Sequence, residues 1–281
     1  MATTYERKKQ KHSNILYTVV TAILICSVFL VMVASFYRKA EEDSYEKLHV
    51  QTKQIKDDLT LQMISDRENL TTMANFAATL YADGKPYDRM FASFKPIGLF
   101  SRIGILTPDE KFITKDGTVD LSGKISFKEQ AGLGVHITGR TYSYSIPDEQ
   151  VVRSSVPIKV DGETVGIMYG IIKIETINKR YSDMAKELDA QLFVYDKETG
   201  KFVVDTIEEN PGELSDLKTR EFNKDYSYKK LVSTDKGFSS FKSIRTGEDL
   251  YIHYSTIYDF DWGILLARYE TQVFAEVRKT S

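Results

Sequence analysis

The side chains able to do chemistry are sparse and scattered. His12, His49, His136 and His253 stand far apart with no metal-ligand spacing, and Cys26 is the only cysteine. Intrachain disulfides and Cys/His zinc knuckles are therefore excluded. The sequence has no Gly-x-Ser-x-Gly, no His-Glu-x-x-His and no Walker loop. Ala131-Gly-Leu-Gly-Val-His136 lacks the third glycine and the strand–loop–helix setting of a phosphate loop, so it reads as a plain loop. Asp116-Gly-Thr-Val-Asp120 offers two acids, fewer oxygens than calcium takes, and reads as a solvated turn. What remains is binding chemistry without a catalytic set. Tyr142 and Tyr144 stand two apart, so a strand there puts both on one sheet face, facing either a ligand or cross-strand neighbours. Arg153 has Asp148 and Glu149 nearby in sequence as alternative surface partners. An enzyme is not expected, and no cofactor or metal is implied.

The chain that must position these residues has 281 of them, with 38 Lys and Arg against 40 Asp and Glu, a net charge of −2. That balance lacks the basic footprint of a nucleic-acid binder. Apolar residues make up 42% and charged ones 28%, a globular composition. One stretch departs from it: residues 15–37 carry no charge. As a helix they reach roughly 34 Å, enough for a bilayer core. A cleaved signal peptide has a shorter apolar region and a small-residue cleavage site, whereas this run leads into Ser35-Phe36-Tyr37-Arg38-Lys39. An uncleaved anchor is expected. Arg7, Lys8, Lys9 and Lys11 precede it against one acid, Glu6, while Glu41, Glu42 and Asp43 follow soon after it. The basic side stays inside. Residues 1–14 are thus expected in the cytoplasm and everything after the span outside the membrane. A cysteine-free ectodomain fits a bacterial envelope protein.

From about residue 40 to 82 the apolar residues Leu59, Met63, Leu70, Met73, Ala77 and Leu80 recur at helical steps, and Asp66 interrupts their stripe. Asp83-Gly84-Lys85-Pro86 ends the segment. Such a helix reaches about 60 Å and suits a stalk running alongside two modules. Its near-heptad stripe serves either as a seam for a second copy or as a face packed on the protein's own modules. A homodimer through the stalk is the expected assembly.

Strands are predicted at 102–106, 111–114, 136–145, 150–158 and 164–172, and turn-forming residues separate most of them. A helix is predicted at 176–188. A second series of strands follows at 191–195, 201–205, 237–243, 249–256 and 262–268. The two series echo each other: Val165-Gly-Ile-Met answers Trp262-Gly-Ile-Leu, and Glu175-Thr176 answers Glu270-Thr271. One unit is used twice. The expected fold class is α+β: a transmembrane helix (15–37), a stalk helix (38–84), and two tandem antiparallel-sheet modules (85–180 and 181–274).

An N-terminal anchor, a long outward helix and two five-strand modules resemble the double Cache sensor domain, the PAS-like extracytoplasmic input of bacterial chemoreceptors, histidine kinases and diguanylate cyclases. The stretches that carry the resemblance are Asp120-Leu-Ser-Gly-Lys-Ile-Ser-Phe-Lys-Glu-Gln-Ala131, Val152-Arg-Ser-Ser-Val-Pro157, Asp161-Gly-Glu-Thr-Val-Gly-Ile-Met-Tyr-Gly170 and Trp262-Gly-Ile-Leu-Leu-Ala-Arg-Tyr-Glu-Thr-Gln-Val-Phe274. It implies a membrane-distal module (85–180) and a membrane-proximal one (181–274). Residues 275–281 would lead into a second membrane segment and an output domain, most like a diguanylate cyclase with a GGDEF domain. It further implies a ligand pocket in the distal module, walled by Phe127, Tyr142, Tyr144, Arg153 and Tyr169. Lys124 stands where amino-acid-binding relatives carry the arginine that clamps the ligand carboxylate. Where they carry an acid for the ligand amine, this chain has Tyr169, Gly170 and Ile171. The implied ligand is thus a small anionic metabolite rather than an amino acid. Tyr251, His253 and Tyr258 of the proximal module are expected to be structural. The competing readings are a membrane-anchored assembly partner without a small ligand and an anchored enzyme.

Overall fold

The computed structural model of the chain describes residues 2–208, 211–221 and 228–275. Residues 276–281, most of the expected lead-in to a second membrane segment, lie outside them. The chain has no glycine or proline before Gly84, and a single helix, α1 (Ala2–Ala82), runs through that stretch. It ends where Gly84 turns at φ 64 and the Lys85 N–H donates to the Leu80 carbonyl at 2.8 Å. A short helix α2 (Asp88–Ser93) follows.

The first sheet contains β1 (Arg102–Leu106), β2 (Lys111–Thr114), β3 (Gly117–Asp120), β4 (His136–Ile137), β5 (Thr141–Tyr142), β6 (Gln150–Val160) and β7 (Glu163–Lys173). Their order is β3-β2-β1-β7-β6-β4, with β5 beside β6. Helix α3 (Phe127–Gly132) stands between β3 and β4, and α4 (Ile174–Glu187) leads to the second sheet. That sheet holds β8 (Gln191–Asp196), β9 (Phe202–Asp205), β10 (Lys236–Lys242), β11 (Asp249–Ile257) and β12 (Trp262–Tyr269), ordered β10-β11-β12-β8-β9. Short helices α5 (Leu217–Arg220), α6 (Tyr228–Ser233) and α7 (Glu270–Val273) flank it. The central path is the same in both sheets: β2-β1-β7-β6 corresponds to β9-β8-β12-β11, and the internal echo of the sequence maps onto β7 and β12.

Two expectations are corrected here. The predicted strand 136–145 is two two-residue strands, because the chain leaves the sheet at Gly139 and Arg140 to dock on the second sheet. A Cβ at Gly139 would overlap the Asp196 carboxylate, and the Arg140 guanidinium donates to the Pro211 carbonyl. The predicted turn 116–120 is mostly strand: only Lys115 and Asp116 turn, and Gly117–Asp120 pairs with Thr114–Lys111.

Along α1 the apolar surface changes owner. From Leu16 to Met32 it is exposed throughout, and Leu24, Ile25, Val28, Phe29 and Met32 are all more than half exposed. Beyond residue 40, Leu48, Ile55, Leu59, Met63, Leu70, Ala74, Ala77 and Leu80 are buried against the two sheets. The stripe read as a possible dimer seam is therefore covered by the chain itself. Asp66, the blemish on it, is 1% exposed and meets protein donors. The Leu99 N–H donates to Oδ2 and the Gln62 amide to Oδ1, each at 2.9 Å. Gly98 (φ 58) makes room, since a Cβ there would overlap the carboxylate.

Lower on α1, His49 Nδ1 lies 3.3 Å from Nε2 of His253 on β11, beside the Phe238 ring. Burial, then His49, Lys236 and Lys56, hold His253 down to about 4. An unfolded histidine takes its proton near pH 6.5, so the unfolded chain binds more protons between those values and stability falls as pH drops through them. The expected loss is up to about 3 kcal/mol by pH 4. Urea unfolding at pH 7 and pH 4.5 checks it, and His253→Phe should flatten the difference. Of the other residues expected to be structural here, Tyr251 is buried beside Tyr45 of α1 whereas Tyr258 is 68% exposed.

Candidate functional site

The candidate site lies on the face of the first sheet turned away from α1. Side chains alternate along β6 and β7: Val152, Val156, Met168 and Ile172 join the core against α1, while Val151, Tyr169 and Ile171 face the other way. Arg153 shares their phase and pairs with Ile171 across the strands. Gly104 of β1 sits opposite Tyr169, and the Phe112 ring fills the space a Cβ there would need. Phe112, Tyr144 and Tyr169 meet edge to face, with centroids 5.4, 5.9 and 5.8 Å apart. The Arg153 guanidinium lies 3.8 Å from the centroid of the Tyr144 ring, a cation–π contact.

Helix α3 covers the cluster. Ser126 caps it by accepting the Glu129 N–H at 3.3 Å, and the Tyr169 hydroxyl donates to the Gln130 side-chain oxygen at 2.9 Å. Glu110, in the β1–β2 turn, accepts the N–H groups of Gly123 and Phe127, each at 3.4 Å, and so ties down the loop before α3. Phe127 is half-buried against the rings.

The electrostatics centre on Arg153. Its Nε and Nη1 are covered and have no hydrogen-bond partner. Glu149, one expected surface partner, is engaged by Arg102 and lies 3.7 Å from Lys173. Among the described residues no carboxylate pairs with Arg153. Burial holds the guanidinium below its ordinary pKa, opposed by Tyr144 and Tyr169; at neutral pH it stays charged. Burial raises both phenols, so they remain neutral. A part-buried charge with two unpartnered nitrogens is costly, and the contact with the Tyr144 ring offsets part of that cost. Nε and Nη1 are thus two donors left over for an acceptor such as a carboxylate or a carbonyl oxygen.

Phe127, Tyr144, Arg153 and Tyr169 thus come together. Two expected residues do not. Lys124 is exposed on the turn closed by its own N–H to the Leu121 carbonyl at 2.9 Å. Tyr142 is 58% exposed on β5. It does not share a face with Tyr144, which lies past the strand's end in irregular chain. Phe112 and Gln130 are site residues that the sequence reading missed. Gly104, a glycine inside a strand, was the available sign that a ring approaches the sheet there.

No family model matches the chain, and no curated protein matches it. Solved structures do. The extracellular domain of rpHK1S-Z16, described as a histidine kinase, aligns at a TM-score of 0.64 and 15% identity, covering 83% of this chain and 97% of that one. The ligand-binding domain of Mlp24 with asparagine aligns at 0.58 and 15% identity, covering 86% and 97%. The ligand-binding domain of the Pseudomonas fluorescens chemoreceptor CtaA with L-isoleucine aligns at 0.61 and 12% identity, covering 86% and 97%. The chain has the fold of the extracellular domains of histidine kinases and the ligand-binding domains of chemoreceptors, in keeping with its resemblance to Cache sensors.

Proposed function

We propose that this chain is the extracytoplasmic small-molecule sensor of a bacterial membrane receptor, anchored by residues 15–37 with its N-terminus in the cytoplasm. Its two sheets are read as tandem PAS-like modules, the first (85–180) distal to the membrane and the second (181–274) proximal. The observation that carries the proposal is the part-buried guanidinium of Arg153 among Phe112, Tyr144 and Tyr169, whose Nε and Nη1 are covered without a hydrogen-bond partner. A small carboxylate supplies the missing acceptors in the bidentate geometry that arginine favours. The ligands named with the Mlp24 and CtaA structures, asparagine and isoleucine, share such a carboxylate. Arg153 takes the anchoring role first assigned to Lys124. Tyr144 comes from the irregular segment between β5 and β6, so its ring can yield to a ligand while the sheet stays fixed. For the output domain, the sequence resemblance points to a diguanylate cyclase, and the structural neighbours favour a chemoreceptor or a kinase.

The test is a panel of small mono- and dicarboxylates and amino acids, read by the unfolding temperature of the whole chain in detergent. A ligand at a hundred times its Kd stabilises by about 2.7 kcal/mol, an easily read shift. The expected result is a small set of carboxylates that raise the transition while their amides do not. No shift across the panel would transfer weight to the assembly-partner reading.

A further inference from the structure

We propose that the ion pair between Arg102 and Glu149 is the latch of the segment that covers Arg153, and that the site opens when the pair parts. This rests on the reading of Arg153 as the ligand's anchor. The segment is the chain from Ser143 to Glu149, between β5 and β6, and it carries Tyr144.

The strand register places the latch. Arg102 of β1 and Arg153 of β6 are both cross-strand partners of Ile171, one on each side of it, so all three face away from α1. The Arg102 Nη1 donates to Glu149 Oε1 at 3.1 Å and Nη2 to Oε2, a two-pronged pair. The two side chains are 11% and 15% exposed. Lys173 stands 3.7 Å from Glu149 Oε1 but is 41% exposed, the weaker tie. The Arg102 Nη2 also donates to the Ser143 Oγ at 3.3 Å. That oxygen accepts the N–H groups of Ser145 and Ile146, each at 3.3 Å, and the Ser143 N–H donates to the Glu149 carbonyl at 2.9 Å. One guanidinium thus holds both ends of the segment. Tyr144 stands between two residues tied to the same hydroxyl.

Packing does little to hold the segment. No residue from Thr141 to Gln150 is fully buried, and its apolar contact is the Tyr144 ring against Phe112 and Tyr169. A stretch with few buried contacts opens at small cost, so the polar tether decides how often it does. Opening returns both charges to water, where each is solvated, and strands neither in the interior. In the closed form the Tyr144 ring rests 3.8 Å from the Arg153 guanidinium, on the ground a carboxylate would take. Apparent affinity is the intrinsic affinity reduced by the fraction of sites that are open. A looser latch should therefore tighten ligand binding, the reverse of what damage to the site would do.

The test uses the whole chain in detergent, without ligand, and compares wild type with Glu149→Gln. Two readouts are local: amide hydrogen exchange at Ser145 and Ile146, and modification of Arg153 by the arginine reagent phenylglyoxal, both located by mass spectrometry of peptides. Each should quicken by about tenfold or more, the loss of a charge-assisted bond, while exchange along β6 and β7 stays as in wild type. Arg102→Lys keeps the charge and loses the fork, so its rates should fall between the two. Unchanged rates at Ser145, Ile146 and Arg153 overturn the latch. A rise shared equally by β6, β7 and the segment also overturns it, because the pair would then only hold the fold together. The carboxylate panel judges the sensor reading separately: a panel without a hit, beside a Glu149→Gln chain that opens, sinks that reading and leaves the latch standing.

Discussion

Replacing Arg153 with methionine is expected to move two measurements in opposite directions. Without ligand the variant should unfold at higher urea, by about 1 kcal/mol, because a part-buried charge whose Nε and Nη1 lack partners gives way to an apolar side chain of similar length. Part of that gain is offset by the lost contact with the Tyr144 ring at 3.8 Å. With a carboxylate from the panel, the stabilisation seen in wild type should vanish. Losing a charge-assisted contact costs about 1.5–3 kcal/mol, ten- to a hundredfold in affinity. Lys124→Ala should leave both measurements near wild type, since Lys124 is exposed. A variant that is less stable without ligand and binds as tightly as before would make Arg153 a structural residue and remove the anchor.

Asp66→Leu is expected to destabilise the chain by about 2–4 kcal/mol, combining an orphaned buried donor with a misfitting side chain. The donor is the Leu99 N–H, and the misfit arises because the backbone at Gly98 lies against the carboxylate. Asp66→Asn keeps one acceptor and the shape, so it should cost much less. Burial raises the Asp66 pKa, ahead of the opposing bonds from Leu99 and Gln62. A raised carboxylate favours folding below its unfolded pKa and loses that advantage as pH climbs through the folded value. The Asp66→Asn gap should therefore be largest in acid and shrink as pH rises. Urea denaturation of the three proteins checks the order. If Asp66→Leu instead drives dimerisation in sedimentation without loss of stability, the stripe is a seam between copies.

The parts of the fold that were legible in the sequence are those governed by near neighbours. β6 and β7 announce themselves because Val160-Asp-Gly-Glu163 separates two apolar runs, and the pairing Val160↔Glu163 is the resulting hairpin. The strand order common to the two sheets left one local mark in the sequence, a glycine in the central strand of each, Gly166 and Gly263. What was hidden depends on distant chain. β3 is four residues, mostly exposed, and carries no alternation to read. The break in 136–145 is set by Asp196 and Pro211, more than fifty residues away. Lys124 and Arg153 are equally cationic in sequence, and only tertiary packing decides which one loses water. Asp66 looked like a flaw in a seam because its donor at Leu99 lies 33 residues on.

The unbroken course of α1 makes it a lever. It is tied at Asp66 to the loop leading into the first sheet and at His49 to the second sheet, roughly 26 Å apart at 1.5 Å per residue. From His49 down to Leu24, inside the apolar segment, is roughly 38 Å more. With the second sheet as fulcrum, a shift of about 1 Å at Asp66 becomes about 1.5 Å at Leu24, in the opposite sense. No glycine or proline interrupts the shaft to absorb it. Displacements of about 1–2 Å are what switching helices use at packed interfaces. In the sensor proposed above, the ratio of the two arms would set the gain, and moving the fulcrum along the shaft would change that gain without touching the proposed ligand site.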